Sequence, residues 1–280
     1  MEEYRKEYPV KVLCDTLGVS VSGYYAWKKR PMSQHGREDD LLAEQIQVVY
    51  QSCRQVYGSP RIHAELRAQG STCSRKRVAR LMREHGLSAR RRQHRTITTK
   101  SEPGARVAPN LLDQEFTASR PNEKWTGDIT AIWTYDGWLY LAVVLDLFSR
   151  RVIGWAMAAT QDETLIETAL RMALLGRHPS ADLLVHSDRG SQYTSDGYRA
   201  ALAEAGITVS MSRTGNCYDN AVTESFFGTL KGECVYRVSF QTRGQAKQVI
   251  FEYVECFYNR IRRHSSLDYL SPVVFEQVMG

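Results

Sequence analysis

Asp136-Gly137 separates two runs rich in β-branched and aromatic residues, 124–134 and 138–147. A dipeptide that readily adopts positive φ, flanked by apolar runs, is the strongest short-range signal for a tight β-hairpin. A third such run covers 151–157, and beyond it the apolar period changes. Helices are predicted over 163–175, 196–205, 220–232 and 243–262, with short buried strands at 182–186 and 207–211. Three antiparallel strands followed by alternating helix and strand predict an α/β fold on a mixed five-stranded sheet.

The residues before this block have a different character. Up to Arg120, Lys and Arg outnumber Asp and Glu by 22 to 13; beyond it they fall to 15 against 18. A basic half joined to a mildly acidic one suits a polyanion-binding module attached to a cation-using centre, although basic surface also serves solubility. Within 1–36, an apolar helix, a turn at Gly18 and a second helix starting after Ser20 have the shape of a helix-turn-helix; a plain helical hairpin has the same pattern. Residues 37–95 read as a basic helical DNA-binding domain broken at 58–60 and 70–71. Its last helix sets Val78, Leu81 and Met82 at helical spacing, with Arg75, Lys76, Arg77, Arg80 and Arg83 over the remaining surface, and continues into Arg90, Arg91, Arg92 and Arg95. Nine cations against one acid over 71–95 can neutralise several phosphates. Residues 96–120, with Pro103, Gly104 and Pro109 and no sustained periodicity, read as a linker to a catalytic domain over 121–280.

Six scattered cysteines (Cys14, Cys53, Cys73, Cys217, Cys234, Cys256) support neither a disulfide framework nor a zinc site and read as buried free thiols. No apolar run approaches the roughly 18 residues of a membrane helix, and the charged N-terminus has no signal region, so a cytoplasmic, nucleoid-associated location is expected.

Three acids carry the chemistry. Asp128 lies in the strand Thr126-Gly127-Asp128-Ile129-Thr130, where a carboxylate is costly unless paired or metal-bound. Asp188 ends a short apolar strand, in His186-Ser187-Asp188-Arg189-Gly190-Ser191-Gln192-Tyr193, at the strand end where ligands collect in α/β sheets. Glu224 falls on a predicted helix, with thirty-five residues between it and Asp188. With this spacing and these flanks, the 216–224 segment and Lys231, the chain resembles the DDE transposases and retroviral integrases, and most closely the second-frame product of the bacterial IS-three insertion-sequence family. Leu17-Gly18-Val19-Ser20 with Tyr24-Tyr25, and Tyr57-Gly58-Ser59-Pro60-Arg61-Ile62, extend the resemblance over nearly the whole chain. The His-His-Cys-Cys zinc domain of retroviral integrases has no counterpart here, which favours the bacterial family.

The resemblance implies a ribonuclease H-like (integrase) catalytic core behind an all-α helix-turn-helix-type region. It also implies DNA cleavage and strand transfer with Asp128, Asp188 and Glu224 as catalytic residues and ligands of two Mg2+ ions, which Mn2+ can replace. Three carboxylates suit in-line phosphoryl transfer, because two cations stabilise the attacking and leaving oxygens together. The implied partners are double-stranded DNA, as terminal inverted repeats and target, a homo-oligomer on that DNA, and an upstream-frame product fused or associated. Lys231, two helical turns after Glu224 and on nearly the same face, is a DNA-phosphate contact by resemblance. Arg262 and Arg263, in the segment 258–264, suit DNA-backbone contact, and structural packing suits Tyr258 equally well. His186 is a candidate general base that a two-metal site does not need. Asp219 reads as the start of the Glu224 helix rather than a ligand. A DNA-binding regulator without chemistry fits the basic half but not the intact acids, and a simple nuclease fits the acids but not the basic half.

Overall fold

The apolar run at the centre of the sequence becomes a strand covered on both faces. Along β2 (Gly137–Asp146), Leu139, Leu141, Val143 and Leu145 enter one apolar cluster while Ala142 and Val144 enter another, so neither face of the run is left for water. In the computed structural model, which describes residues 1–89, 108–213 and 217–280, β2 pairs antiparallel with β1 (Lys124–Thr134) and β3 (Val152–Ala158). The β1–β2 turn closes at Thr134 opposite Gly137, whose φ of +101° is open to glycine and strained for side chains. Parallel strands β4 (Leu184–Ser187) and β5 (Thr208–Met211) complete a mixed five-stranded sheet in the order β3-β2-β1-β4-β5.

Twelve residues before the sheet's first strand, the chain is already committed to it. Residues 109–114, expected as linker, run along β5: the Pro109 carbonyl accepts from Met211 N, and Leu111 N and Leu112 N both donate to Ser210 Oγ. Leu112 is fully buried, which is why a stretch without periodicity is nevertheless fixed.

One face of the sheet carries α6 (Glu163–Arg177) and α7 (Asp196–Glu204), capped by Asp162 and Ser195. Helix α6 approaches so closely at Gly154 that a Cβ there would strike the Ala169 carbonyl and the Ala173 backbone. The other face carries α8 (Ala221–Glu233) and α9 (Arg243–Phe251). The single helix expected over 243–262 is in fact α9 followed by a π-helix, Glu252–Tyr258, whose wider turn leaves Tyr253, Val254, Phe257 and Tyr258 all buried. A short terminal helix, α10 (Pro272–Met279), was not evident from periodicity; a buried ion network holds it, with Glu276 bonding Arg151, Arg177 and Ser149, and Arg177 reaching Asp146.

The basic region is helical, as expected. Helices α1 (Val10–Thr16) and α2 (Val21–Lys29) are joined by a turn at Gly18, and the Ser20 hydroxyl accepts from Gly23 N to cap α2. Helices α3 (Gln34–Ser52), α4 (Ser59–Ala68) and α5 (Arg75–Glu84) form a three-helix bundle. Its buried residues, including Ile46, Ile62, Leu66 and Val78, belong to the same apolar cluster as β2, α8 and the π-helix. Polar ties reinforce this contact: Tyr57 Oη accepts from Arg263 N at 2.7 Å, Arg263 pairs with Glu65 at 2.5 Å, and Arg237 donates to the Arg54 carbonyl at 2.6 Å. No helix among the described residues is long and apolar enough to cross a membrane.

Candidate active site

Parallel pairing places the first two acids. Thr126 on β1 stands opposite His186 on β4 in the last pair of that ladder, and Asp128 and Asp188 each follow two residues further along their chains, toward the same end of the sheet. Asp188 Oδ1 accepts from Gly190 N at 2.9 Å, and Asp128 Oδ1 accepts from Ile129 N at 2.7 Å. Burial pushes the Asp188 carboxyl above its usual range, against the smaller opposing effect of the Gly190 bond. The buried phenol of Tyr193 is raised well above its ordinary value, first by burial and then by the charges of Asp128 and Asp188, so both carboxylates bear on one ring.

Glu224 is half-buried in the first turn of α8. The start of that helix is fixed to β1, because the Asn220 side chain accepts from the Thr126 hydroxyl and donates to the Gly127 carbonyl, while Thr126 and Thr223 hydroxyls meet at 3.0 Å. Lys231 lies further along α8, partly buried; burial lowers its ammonium's proton affinity and the charge of Asp128 raises it. The helix face that carries Asn220, Glu224 and Lys231 therefore looks toward the Asp128 segment of β1. Among the described residues, no three His, Cys, Asp or Glu side chains converge closely enough to hold a metal ion.

His186 is a structural residue. It is fully buried between two hydroxyls, with Nδ1 2.9 Å from Ser210 Oγ and Nε2 3.1 Å from Ser212 Oγ. Ser210 Oγ already accepts from two backbone N–H groups, so it donates its proton to Nδ1, and the ring carries its own proton on Nε2. Burial lowers its pKa to about 4, leaving it neutral. Asp219 likewise has a role other than the expected helix start: Asn220 occupies that position. The buried Asp219 carboxylate accepts from Asn110, Gln114 and Arg213; burial raises its proton affinity, but Arg213 and these donors hold it down to about 2.

The cations expected to meet DNA divide into two sets. Arg75 and Lys76 are exposed at the start of α5. Arg77 and Arg80 both reach Asp39 on α3 at 2.6 Å, tying α5 into its bundle. Arg262 is buried and bidentate to Glu233, and Arg263 is shared between Glu65 and the Tyr269 carbonyl. Arg90, Arg91, Arg92 and Arg95 lie outside the described residues. Sequence reasoning did not single out Tyr193 or Asn220; both fall in the motif segments already quoted, but only the strand register and the helix start reveal their roles.

An integrase core domain model matches residues 118–217 and a second matches 224–279, and an HTH-like domain model matches 37–95. Transposase InsF for insertion sequence IS3A, from Escherichia coli (strain K12), is 42% identical over 278 residues, which cover 99% of this chain and 96% of that protein. The chain belongs to the IS3-family transposases. An insertion element IS600 uncharacterized 31 kDa protein from Shigella sonnei is similar too, at 43% identity over 95% of this chain and 97% of its own length. The HTLV-2 integrase catalytic core domain in complex with magnesium shows a looser likeness, with a TM-score of 0.44 and 16% identity over 56% of this chain and 97% of its own. As an insertion-sequence transposase of the DDE type, the protein acts on DNA, with an integrase catalytic core following an HTH-like helical region.

Proposed function

We propose that this transposase cleaves the ends of its element and joins them to target DNA at one site built from Asp128, Asp188 and Glu224. The observation that carries the reading is the in-register pairing of β1 with β4, which delivers Asp128 and Asp188 to one Tyr193 ring. The chemistry of the donors, all oxygen with one desolvated carboxylate, suits Mg2+, with Mn2+ as a substitute, and the three side chains would have to close further than they stand to hold it. Asp128, Asp188 and Glu224 would hold two such ions, which when bound supply positive charge to the attacking and leaving oxygens of an in-line displacement.

The protein's own groups do the rest. Tyr193 shields the two aspartates from bulk water, and Lys231 offers a cation to a DNA phosphate beside Asp128. Arg75 and Lys76, with Arg90, Arg91 and Arg92, contact the duplex backbone, while Arg77 and Arg80 hold α5 at the right angle through Asp39. The chain divides into a helix-turn-helix segment over 1–36, a DNA-binding bundle over 37–95, a connection over 96–120 and the catalytic core over 121–280. It works as a homo-oligomer on paired element ends, in the cytoplasm at the nucleoid, alone or with an upstream-frame product.

The test is Mg2+-dependent nicking of a labelled element end by the full chain and by Glu224→Gln, Asp128→Asn and Asp188→Asn. Each variant is expected to lose cleavage by at least about a thousandfold while still binding the duplex. A variant that cuts at the parental rate would remove that residue from the site.

A further inference from the structure

A cavity of about 290 Å3 lies against α8 on a face distinct from the one that carries Glu224. Ser225 and Thr229 form part of one wall; Arg61 from α4, Arg150 from the β2–β3 turn, and Arg262 and His264 from the segment after the π-helix form the others. Among the described residues, no Asp or Glu lines it. Behind the wall, the Glu233 carboxylate is bidentate to Arg262 and stands 3.8 Å from Arg61 Nη1. Arg150 donates through Nη2 to the Phe116 carbonyl, but its Nη1 is buried with no hydrogen-bond partner among the described residues. His264 is neutral, held far below its ordinary value by burial and by the three arginines around it. Three guanidinium groups thus line one cavity, Arg61 and Arg262 sharing the Glu233 carboxylate and Arg150 presenting an unbonded nitrogen, an arrangement that favours the entry of an anion. A phosphate matches it, with oxygens for the planar guanidinium forks and for the hydroxyls of Ser225 and Thr229.

We propose that this cavity seats one phosphate of a DNA strand, away from the phosphate that reacts. DNA is favoured over a free anion because one wall comes from the HTH-like bundle and another from the helix that carries Glu224, so a strand crossing from bundle to core passes the opening. The proposal rests on DNA being the substrate, not on which residues bind metal.

The experiment uses the full chain in EDTA, so that no cleavage intrudes. Anisotropy of a labelled 30-base-pair duplex, about that length, is read for the parent, Arg61→Gln, Arg150→Gln and the double variant across a salt series, with inorganic phosphate against chloride at equal ionic strength as a separate thermal-shift arm. The double variant is expected to bind duplex about tenfold more weakly, with its salt slope reduced by about one ion. Phosphate is expected to raise the melting temperature of the parent and not of Arg150→Gln. Arg61→Gln alone serves if Arg150→Gln does not fold, because Arg61 is partly exposed on α4. An unchanged duplex affinity and salt slope would overturn the proposal; if phosphate still stabilises the parent in that case, the cavity takes a free anion instead. Either failure leaves the roles of Asp128, Asp188 and Glu224 untouched, because those are read from cleavage in Mg2+.

Discussion

Asn220 Nδ2 donates to the Gly127 carbonyl at 3.3 Å, and this contact fixes where Glu224 begins relative to Asp128. Gly127 directly precedes Asp128, and Asn220 precedes Glu224 by one helical turn, so a single amide joins the two acidic segments. Its Oδ1 accepts at the same time from Thr126 and Thr223, so three bonds hold the side chain in place. Asn220→Ala is therefore expected to leave the fold intact and raise the Mg2+ concentration needed for half-maximal cleavage about tenfold or more. A titration of nicking against Mg2+ reads this directly, and an unaltered midpoint would remove Asn220 from the positioning role.

His186 makes stability depend on pH in a defined direction. Its folded pKa of about 4 lies below the ordinary 6.5, so the unfolded chain takes up a proton first as the pH falls. Its cost is absent above pH 6.5, grows as the pH drops through the interval and is complete near pH 4, at roughly 3 kcal/mol. His186→Gln should flatten the dependence of melting temperature on pH between those limits, although His264 keeps a slope of its own in the same direction. Parallel curves for parent and variant would show that His186 does not remain neutral in the fold.

Glu276 offers a test of how the chain end is held. It bonds Arg177, Arg151 and Ser149 from a position only 10% exposed, while Arg177 also serves the buried Asp146. Glu276→Ala leaves two guanidinium groups short of an anion and is expected to cost about 3 kcal/mol in denaturant unfolding. A loss under about 1 kcal/mol would mean that water or Asp146 compensates.

At Gly154 the limit is steric. A methyl group there meets backbone atoms of α6, which cannot turn aside as a side chain could. Gly154→Ala is expected to cost more than about 3 kcal/mol by forcing α6 off the sheet, and a melting temperature close to the parent's would contradict that packing.

Much of the architecture was legible because binary patterning and topology agree. The Asp136-Gly137 turn, the continuous apolar run of β2 and the switch to helical period after residue 158 are local signals, and each produced the element it implied. The order of β4 and β5 was legible only as an α/β succession; their register, which sets Asp128 beside Asp188, is a non-local property. The π-helix was hidden because its first residues have ordinary helical spacing, and α10 because eight residues between Pro272 and Met279 carry too little period to stand out. At the site, motif spacing pointed to the acids, whereas the roles of Asn220, Tyr193 and Asp219 also depend on partners as distant in sequence as 109 residues, which no local pattern encodes. The basic pattern of α5 was similarly incomplete: its charges are visible in sequence, but the diversion of Arg77 and Arg80 to Asp39 is not.

The bundle and the catalytic core solidify around shared apolar side chains, with the Tyr57 ring of one tilted against the Phe257 ring of the other at 6.4 Å between centroids. A joint of that kind turns the pair into a fixed caliper: the span from the exposed cations of α5 to the carboxylates of β1 is set by packing, not by the slack of a tether. Inserting base pairs between the contacted duplex and the scissile bond should then move the cut by the same number of nucleotides, keeping its distance from the bound segment constant.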